Sequence, residues 1–110
     1  MVMIHSFYSI IILKAISYYK INSCMFHLNS NHFSCPESFL TCPITLDIPE
    51  AGVFTKNFRS SDICSLYDKD ALLQVIDARG THPLSRESII MRQDECHFDF
   101  KREAFVVNTA

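Results

Sequence analysis

The sequence predicts a small α+β domain, and three patterns in its second half carry that prediction. Val53-Phe54-Thr55 and Ile63-Cys64-Ser65-Leu66 are short β-prone runs, separated by the polar stretch Asn57 to Ser61. Leu72, Val75, Ile76 and Arg79 recur at i, i+3, i+4 and i+7, which is one face of a helix. His97-Phe98-Asp99-Phe100 then alternates with period two, and Phe105-Val106-Val107 follows as another apolar, β-prone run.

Each element has its own punctuation. Pro43 and Pro49 bracket the segment Ile44-Thr45-Leu46-Asp47-Ile48 as a loop, and Gly52 marks a turn before the first strand. The helix spans Tyr67–Arg79 by its spacing. Ser65 and Asp68 are placed like a capping box, Asp68 is itself a candidate N-cap, and Gly80 stops the helix. Pro83 forbids helix continuation and pushes His82 towards extended geometry. Ser85 is positioned to cap a short second helix over Glu87–Met91. The two late runs form a hairpin with Lys101–Ala104 as its turn.

A chain of 110 residues holds one such domain and not two cores. With 48% hydrophobic residues it is not a disordered polar segment. A net charge of -2 without a basic cluster argues against a nucleic-acid binder. Five cysteines leave one unpaired in any disulfide scheme, which favours reduced thiols. Residues 1–40 hold only Lys14, Lys20 and Glu37 as charges, so nearly all the charge lies beyond residue 40. This shift divides the chain into a truncated or poorly ordered amino-terminal segment, 1–34, and a domain over 35–110. The apolar run Phe7–Leu13 is interrupted by Lys14 and is too short to span a membrane. No Lys or Arg precedes it, as a signal peptide would require. The Asn-, Ser- and His-rich stretch from Asn22 to Ser34 reads as a linker.

The block Cys42-Pro43-Ile44-Thr45-Leu46 resembles the opening of a U-box. Tyr67-Asp68-Lys69 through Ile76 resembles the U-box central helix, and His82-Pro83-Leu84-Ser85-Arg86 resembles its second loop. More closely, CPITLDIPEAGVFTKN, CSLYDKDALLQVI, HPLSRES and DECHFDF resemble the carboxy-terminal domain of the NleG family. These are type III secreted effectors that act as U-box-like ubiquitin ligases in the host cell. The resemblance covers about residues 35–107. It implies a U-box/RING-like domain of two loops, a short hairpin and a central helix, without zinc or other cofactor, after a short non-homologous amino-terminal segment. It departs from the family in lacking the longer amino-terminal region, and Ser88–Met91 is slightly short.

The implied partners are a host ubiquitin-conjugating enzyme, ubiquitin and a host substrate protein, met after secretion into the host cytoplasm. Such a ligase positions a ubiquitin thioester for attack by a substrate lysine and carries no covalent intermediate. By resemblance, Ile44 and Leu46 on the first loop, Leu72 and Val75 on the helix and Pro83 on the second loop contact the conjugating enzyme. Arg86 takes the place of the cation bridging that enzyme and ubiquitin, where its planar donors suit two acceptors at once. By spacing alone Ile44, Leu46 and Leu72 also fit a core, Pro83 a plain turn and Arg86 an ordinary surface charge. A non-enzymatic interaction module, or an inactive truncated fragment keeping the fold, is the alternative to a ligase.

Two other chemistries are weaker. Zinc needs closely spaced cysteine pairs, and Cys24, Cys35, Cys42, Cys64 and Cys96 include no Cys-x-x-Cys; Cys64 and Cys96 with His82 and His97 could in principle gather on one metal. A cysteine nucleophile would need Cys42 or Cys64 beside His82. Cys96 and His97, being adjacent in a strand, point to opposite faces.

Overall fold

The structure, a computed structural model, describes residues 17–29, 33–58, 60–79 and 89–108. Helix α1 covers residues 17–24. It is followed by β1 (Phe26–His27), a 3-10 turn (Glu37–Leu40), β2 (Ala51–Lys56) and β3 (Ile63–Asp68). Helix α2 (Lys69–Arg79), β4 (Ile90–Met91), β5 (Cys96–Asp99) and β6 (Ala104–Val107) complete the described elements. The strands form one sheet in the order β1-β2-β3-β6-β5, with β4 also beside β2, so the α+β class stands.

Strand β2 pairs with three others in the sheet. Along one edge it pairs antiparallel with β3, from Gly52↔Asp68 to Lys56↔Cys64. Its other edge is shared between β1, through Phe26↔Gly52, and β4, through Phe54↔Met91 and Thr55↔Ile90. Gly52, Val53, Phe54 and Thr55 are all buried. That continuous burial belongs to a strand covered on both faces.

On one face Phe54, Leu66, Cys64, Phe105, Cys96 and Met91 pack with Leu40, under Phe26, Phe33, Phe39 and Phe98. The rings meet in tilted and edge-on pairs, Phe54 and Phe105 at 4.9 Å and Phe33 and Phe105 at 5.4 Å. Such geometry sets the electron-poor ring edge against the electron-rich face. On the other face Val53 and Ile90 pack against Ile21 and Cys24 of α1 and Leu72 and Ile76 of α2. The Tyr18 hydroxyl donates to Asp77 at 3.0 Å and ties the two helices together.

The composition boundary near residue 35 is therefore not a packing boundary. Ile21 is fully buried, and β1 is an integral strand of the sheet. Asn22 to Cys24 complete α1, and Phe26–His27 pair with β2, where the sequence suggested a linker. Residues 1–16 lie outside the described residues.

Helix α2 begins two residues later than its spacing predicts, because Tyr67 and Asp68 extend β3. Asp68 does cap it: its Oδ1 accepts the Ala71 N–H at 2.9 Å. Ser65 takes no part in the cap and donates instead to Asn57 Oδ1 at 2.8 Å. The short helix expected over Glu87–Met91 is corrected at its end, since Ile90–Met91 is strand β4. Met91 enters the aromatic cluster and Ile90 the helix-side cluster, so two adjacent residues serve both faces only as a strand. Ser85, Glu87 and Gly80 lie outside the described residues. The late hairpin forms as predicted, with four pairs from Cys96↔Val107 to Asp99↔Ala104. Asp99 Oδ1 accepts from the Lys101 and Arg102 N–H groups and shapes the turn. No helix among the described residues is long and apolar enough to cross a membrane.

If α1 is an integral part of the core, Ile21→Ala lowers the unfolding free energy by about 2–4 kcal/mol, the usual range for emptying a buried aliphatic site. Urea denaturation followed by circular dichroism measures it, and a change below about 0.5 kcal/mol would detach α1 from the core.

Candidate functional site

The candidate site is the loop running from Cys42 into β2. Its ends are anchored and its middle is not: Cys42 is fully buried and Pro49 is buried, whereas residues 43–48 are all exposed. The loop closes on itself through backbone hydrogen bonds. Leu46 N–H donates to the Cys42 carbonyl at 2.8 Å, and Cys42 N–H donates to the Asp47 carbonyl at 2.9 Å. Asp47 N–H also donates to Thr45 Oγ1 at 3.3 Å.

The Cys42 sulfur is the hub of this loop. It accepts the Ile44 N–H at 3.4 Å. Burial pushes its thiol up, but the N–H groups of Asp68, Thr45 and Ile44 and the Thr45 side chain outweigh burial and bring it below the ordinary cysteine value. Asp68 is the cap of α2. One sulfur thus lies between the loop, which it hydrogen-bonds through Ile44 N–H, and the Asp68 amide at the start of the central helix. An open cleft of about 420 Å³ lies elsewhere, on the β5 side. Between the loop and α2 lies a smaller one, about 310 Å³, lined by residues including Thr45, Asp47, Ile48, Asp68 and Asp70.

The closure leaves three large apolar side chains facing water. Ile44 is 44% exposed, Leu46 75% and Ile48 45%. Leu46 has φ of 64°, in the left-handed region that a γ-branched residue enters at roughly 1–2 kcal/mol. An exposed leucine held in that conformation gains nothing for the core.

The sequence-predicted site residues separate into groups. Ile44 and Leu46 are at the surface, on a loop whose Thr45, Asp47 and Ile48 line a cleft with Asp68 and Asp70. Leu72 is corrected: at 1% exposure, packed in the helix-side cluster with Ile21 and Val53, it has no surface to offer a partner. Its i, i+4 partner Ile76 is buried with it, so this stripe is the inward face of α2. Val75 is half-buried. Pro83 and Arg86 lie outside the described residues. Ile48 went unnoticed as a site residue, although the alternation Ile44, Leu46, Ile48 between two prolines already signalled it.

The competing chemistries can be placed as well. Cys64 and Cys96 do come together, with sulfurs 3.6 Å apart. His97 points away from them and its Nδ1 bonds Asn108 Oδ1 on the solvent side. His82 lies outside the described residues. Among the described residues no three His, Cys, Asp or Glu side chains gather so as to hold a metal ion.

Fold and loop together define a small α+β domain that displays an apolar loop closed by backbone hydrogen bonds and one to the Cys42 sulfur. The sequence profile of the family described as effector protein NleG matches residues 11–108, and the chain belongs to that family. It is 49% identical over 92 residues to the E3 ubiquitin-protein ligase NleG of Escherichia coli O157:H7, covering 80% of this chain and 43% of that protein. It is 47% identical over 90 residues to the probable E3 ubiquitin-protein ligase NleG7 of Citrobacter rodentium, covering 78% of this chain and 43% of that protein. Its fold is similar to the crystal structure of the NleG5-1 effector (C200A) from Escherichia coli O157:H7 str. Sakai, with a TM-score of 0.75 and 42% identity. That match covers 84% of this chain and 46% of the other. The chain therefore spans less than half the length of these relatives.

The positive φ at Leu46 separates stability from docking. Leu46→Gly relieves the backbone and leaves the unfolding midpoint unchanged or raises stability by up to about 1 kcal/mol, while removing the most exposed apolar side chain of the loop. Calorimetry of the variant checks this, and a clear loss of stability would contradict it.

Proposed function

We propose that this chain is a ubiquitin ligase domain that docks a ubiquitin-charged conjugating enzyme on the Ile44–Leu46–Ile48 loop. The observation that carries the proposal is the exposure of these three side chains on a loop fastened to α2, in a chain whose relatives are named as ubiquitin ligases. Apolar anchors displayed at a fixed position are what a docking face needs, and burying each one on a partner contributes roughly 1–2 kcal/mol. Val75, half-exposed on α2, and Pro83 on the second loop extend the face. Leu72 supports it from below by holding α2 on the sheet.

In this reading the domain works by positioning. It binds the conjugating enzyme, and Arg86 donates to acceptors on that enzyme and on ubiquitin together, which restrains the thioester in one orientation for the substrate lysine. The domain forms no covalent bond to ubiquitin. Its setting is the host cell, after type III secretion, and its protein substrate there is met by contacts outside the loop.

A ubiquitin-chain assay with a panel of conjugating enzymes tests the proposal. Chains form with the wild-type domain, and Ile44→Ala and Arg86→Ala each reduce the rate by about tenfold or more, the kinetic equivalent of about 1.4 kcal/mol. A strong chelator leaves the rate unchanged. A folded domain that makes no chains with any enzyme in the panel overturns the ligase reading in favour of a non-enzymatic interaction module. Activity lost in Cys64→Ala but retained in Ile44→Ala overturns it in favour of a thiol mechanism.

A further inference from the structure

Two thiols lie in contact in a part of the domain that the docking loop does not use. Cys64 on β3 and Cys96 on β5 have their sulfurs 3.6 Å apart. The register explains the meeting. Cys64 pairs with Phe105, Phe98 also pairs with Phe105, and Cys96 lies two residues from Phe98, so both thiols face the same side of the sheet. They flank β6, and the sulfurs meet across it. Both residues are buried in the aromatic cluster, at 4% and 7% exposure. Cys96 also lines the open cleft of about 420 Å³ bounded by Phe33, Gln93, Asp94, Phe98 and Phe100. A molecule not much larger than water therefore has a route to the pair.

We propose that Cys64 and Cys96 are a redox pair that a small hydroperoxide converts to an intramolecular disulfide. The contact already prepares the two sulfurs for different roles. The hydrogen bond between the two thiols holds Cys64 below the ordinary cysteine value, with Lys56 adding to the effect, and the same bond together with burial pushes Cys96 far above it. Cys64 is thus the thiolate former and Cys96 the thiol that resolves.

Reaction begins when the Cys64 sulfur attacks one peroxide oxygen. An S–O bond forms, the O–O bond breaks, Cys64 is oxidised to a sulfenic acid and the departing oxygen leaves as water with the proton released from Cys64. The Cys96 sulfur then displaces hydroxide from Cys64. The S–S bond forms, the S–O bond breaks, and the Cys96 proton leaves with the hydroxide as a second water. Two thiols lose two electrons and two protons, and hydrogen peroxide is reduced to two waters. The sulfurs must close from 3.6 Å to about 2.05 Å to form the bond.

The test uses the full, reduced chain treated with an equimolar amount of hydrogen peroxide, then unfolded in the presence of an alkylating reagent and mapped by mass spectrometry. The expected result is a monomer that has lost two of its five alkylatable thiols, with one cross-linked peptide pair containing Cys64 and Cys96. Dithiothreitol restores both thiols. In Cys96→Ser, Cys64 ends as a sulfenic or sulfinic acid with no internal cross-link. The wild-type map decides the matter even if that variant does not fold. Alkylation of both Cys64 and Cys96 after treatment overturns the proposal, as does a cross-link that runs instead through Cys35, which packs against the same cluster.

Discussion

The hydrogen bonds that converge on the Cys42 sulfur are the constraint from which the rest of the site follows. A thiol sulfur is a weak acceptor, yet here it is fully buried and accepts the Ile44 N–H at 3.4 Å, with the Thr45 and Asp68 amides near enough to favour its thiolate. The Ile44 bond contributes on the order of 1 kcal/mol or less, and the sulfur brings two segments distant in the sequence to one point. Above that base the loop turns back on itself. It closes Leu46 N–H onto the Cys42 carbonyl, which sets Leu46 in a left-handed conformation and turns Ile44, Leu46 and Ile48 towards solvent.

The sheet beneath the loop supplies rigidity. The loop leads directly into β2, the strand with the most neighbours, and β2 is packed on both faces. Its aromatic face is closed by rings from the 33–42 segment and the late hairpin, and its other face by the two helices. A docking surface mounted on such a strand keeps its shape without reorganising, so that binding does not have to order it first. Under the proposed function, such rigidity is what holding another enzyme's reactive bond in place would require. The same packing explains why Leu72 is structural: α2 can present its head to the loop only if its inward stripe is spent on the core.

Much of the fold was legible in the residues. The β2–β3 hairpin follows from two β-prone runs separated by a polar turn, β5–β6 from a period-two run followed by an apolar one, and α2 from a 3.6-residue stripe capped by Asp68. The Asp99 turn, with its side chain bonded to the two following N–H groups, is local chemistry of the same readable kind. What escaped the sequence depended on tertiary partners. Asn22 to Phe26 look like a linker because their neighbours are polar, while Ile21 and Phe26 find apolar partners only once β2 and α2 are in place. Two-residue strands such as Ile90–Met91 carry no period at all. The exposed Ile44 and the buried Leu72 are equally apolar, and only packing tells them apart. The role of Cys42 is invisible in sequence for a similar reason, since one of its donors stands at Asp68.

Native-state amide hydrogen exchange on Cys42→Ala, compared with the wild-type domain, tests the sulfur hub most directly. The account predicts that the amides of Ile44, Thr45 and Asp68 exchange at least about tenfold faster in the variant, while the β2–β3 amides from Val53 to Leu66 keep their protection. Unchanged exchange at those three amides, or uniform acceleration across the whole sheet, would contradict it.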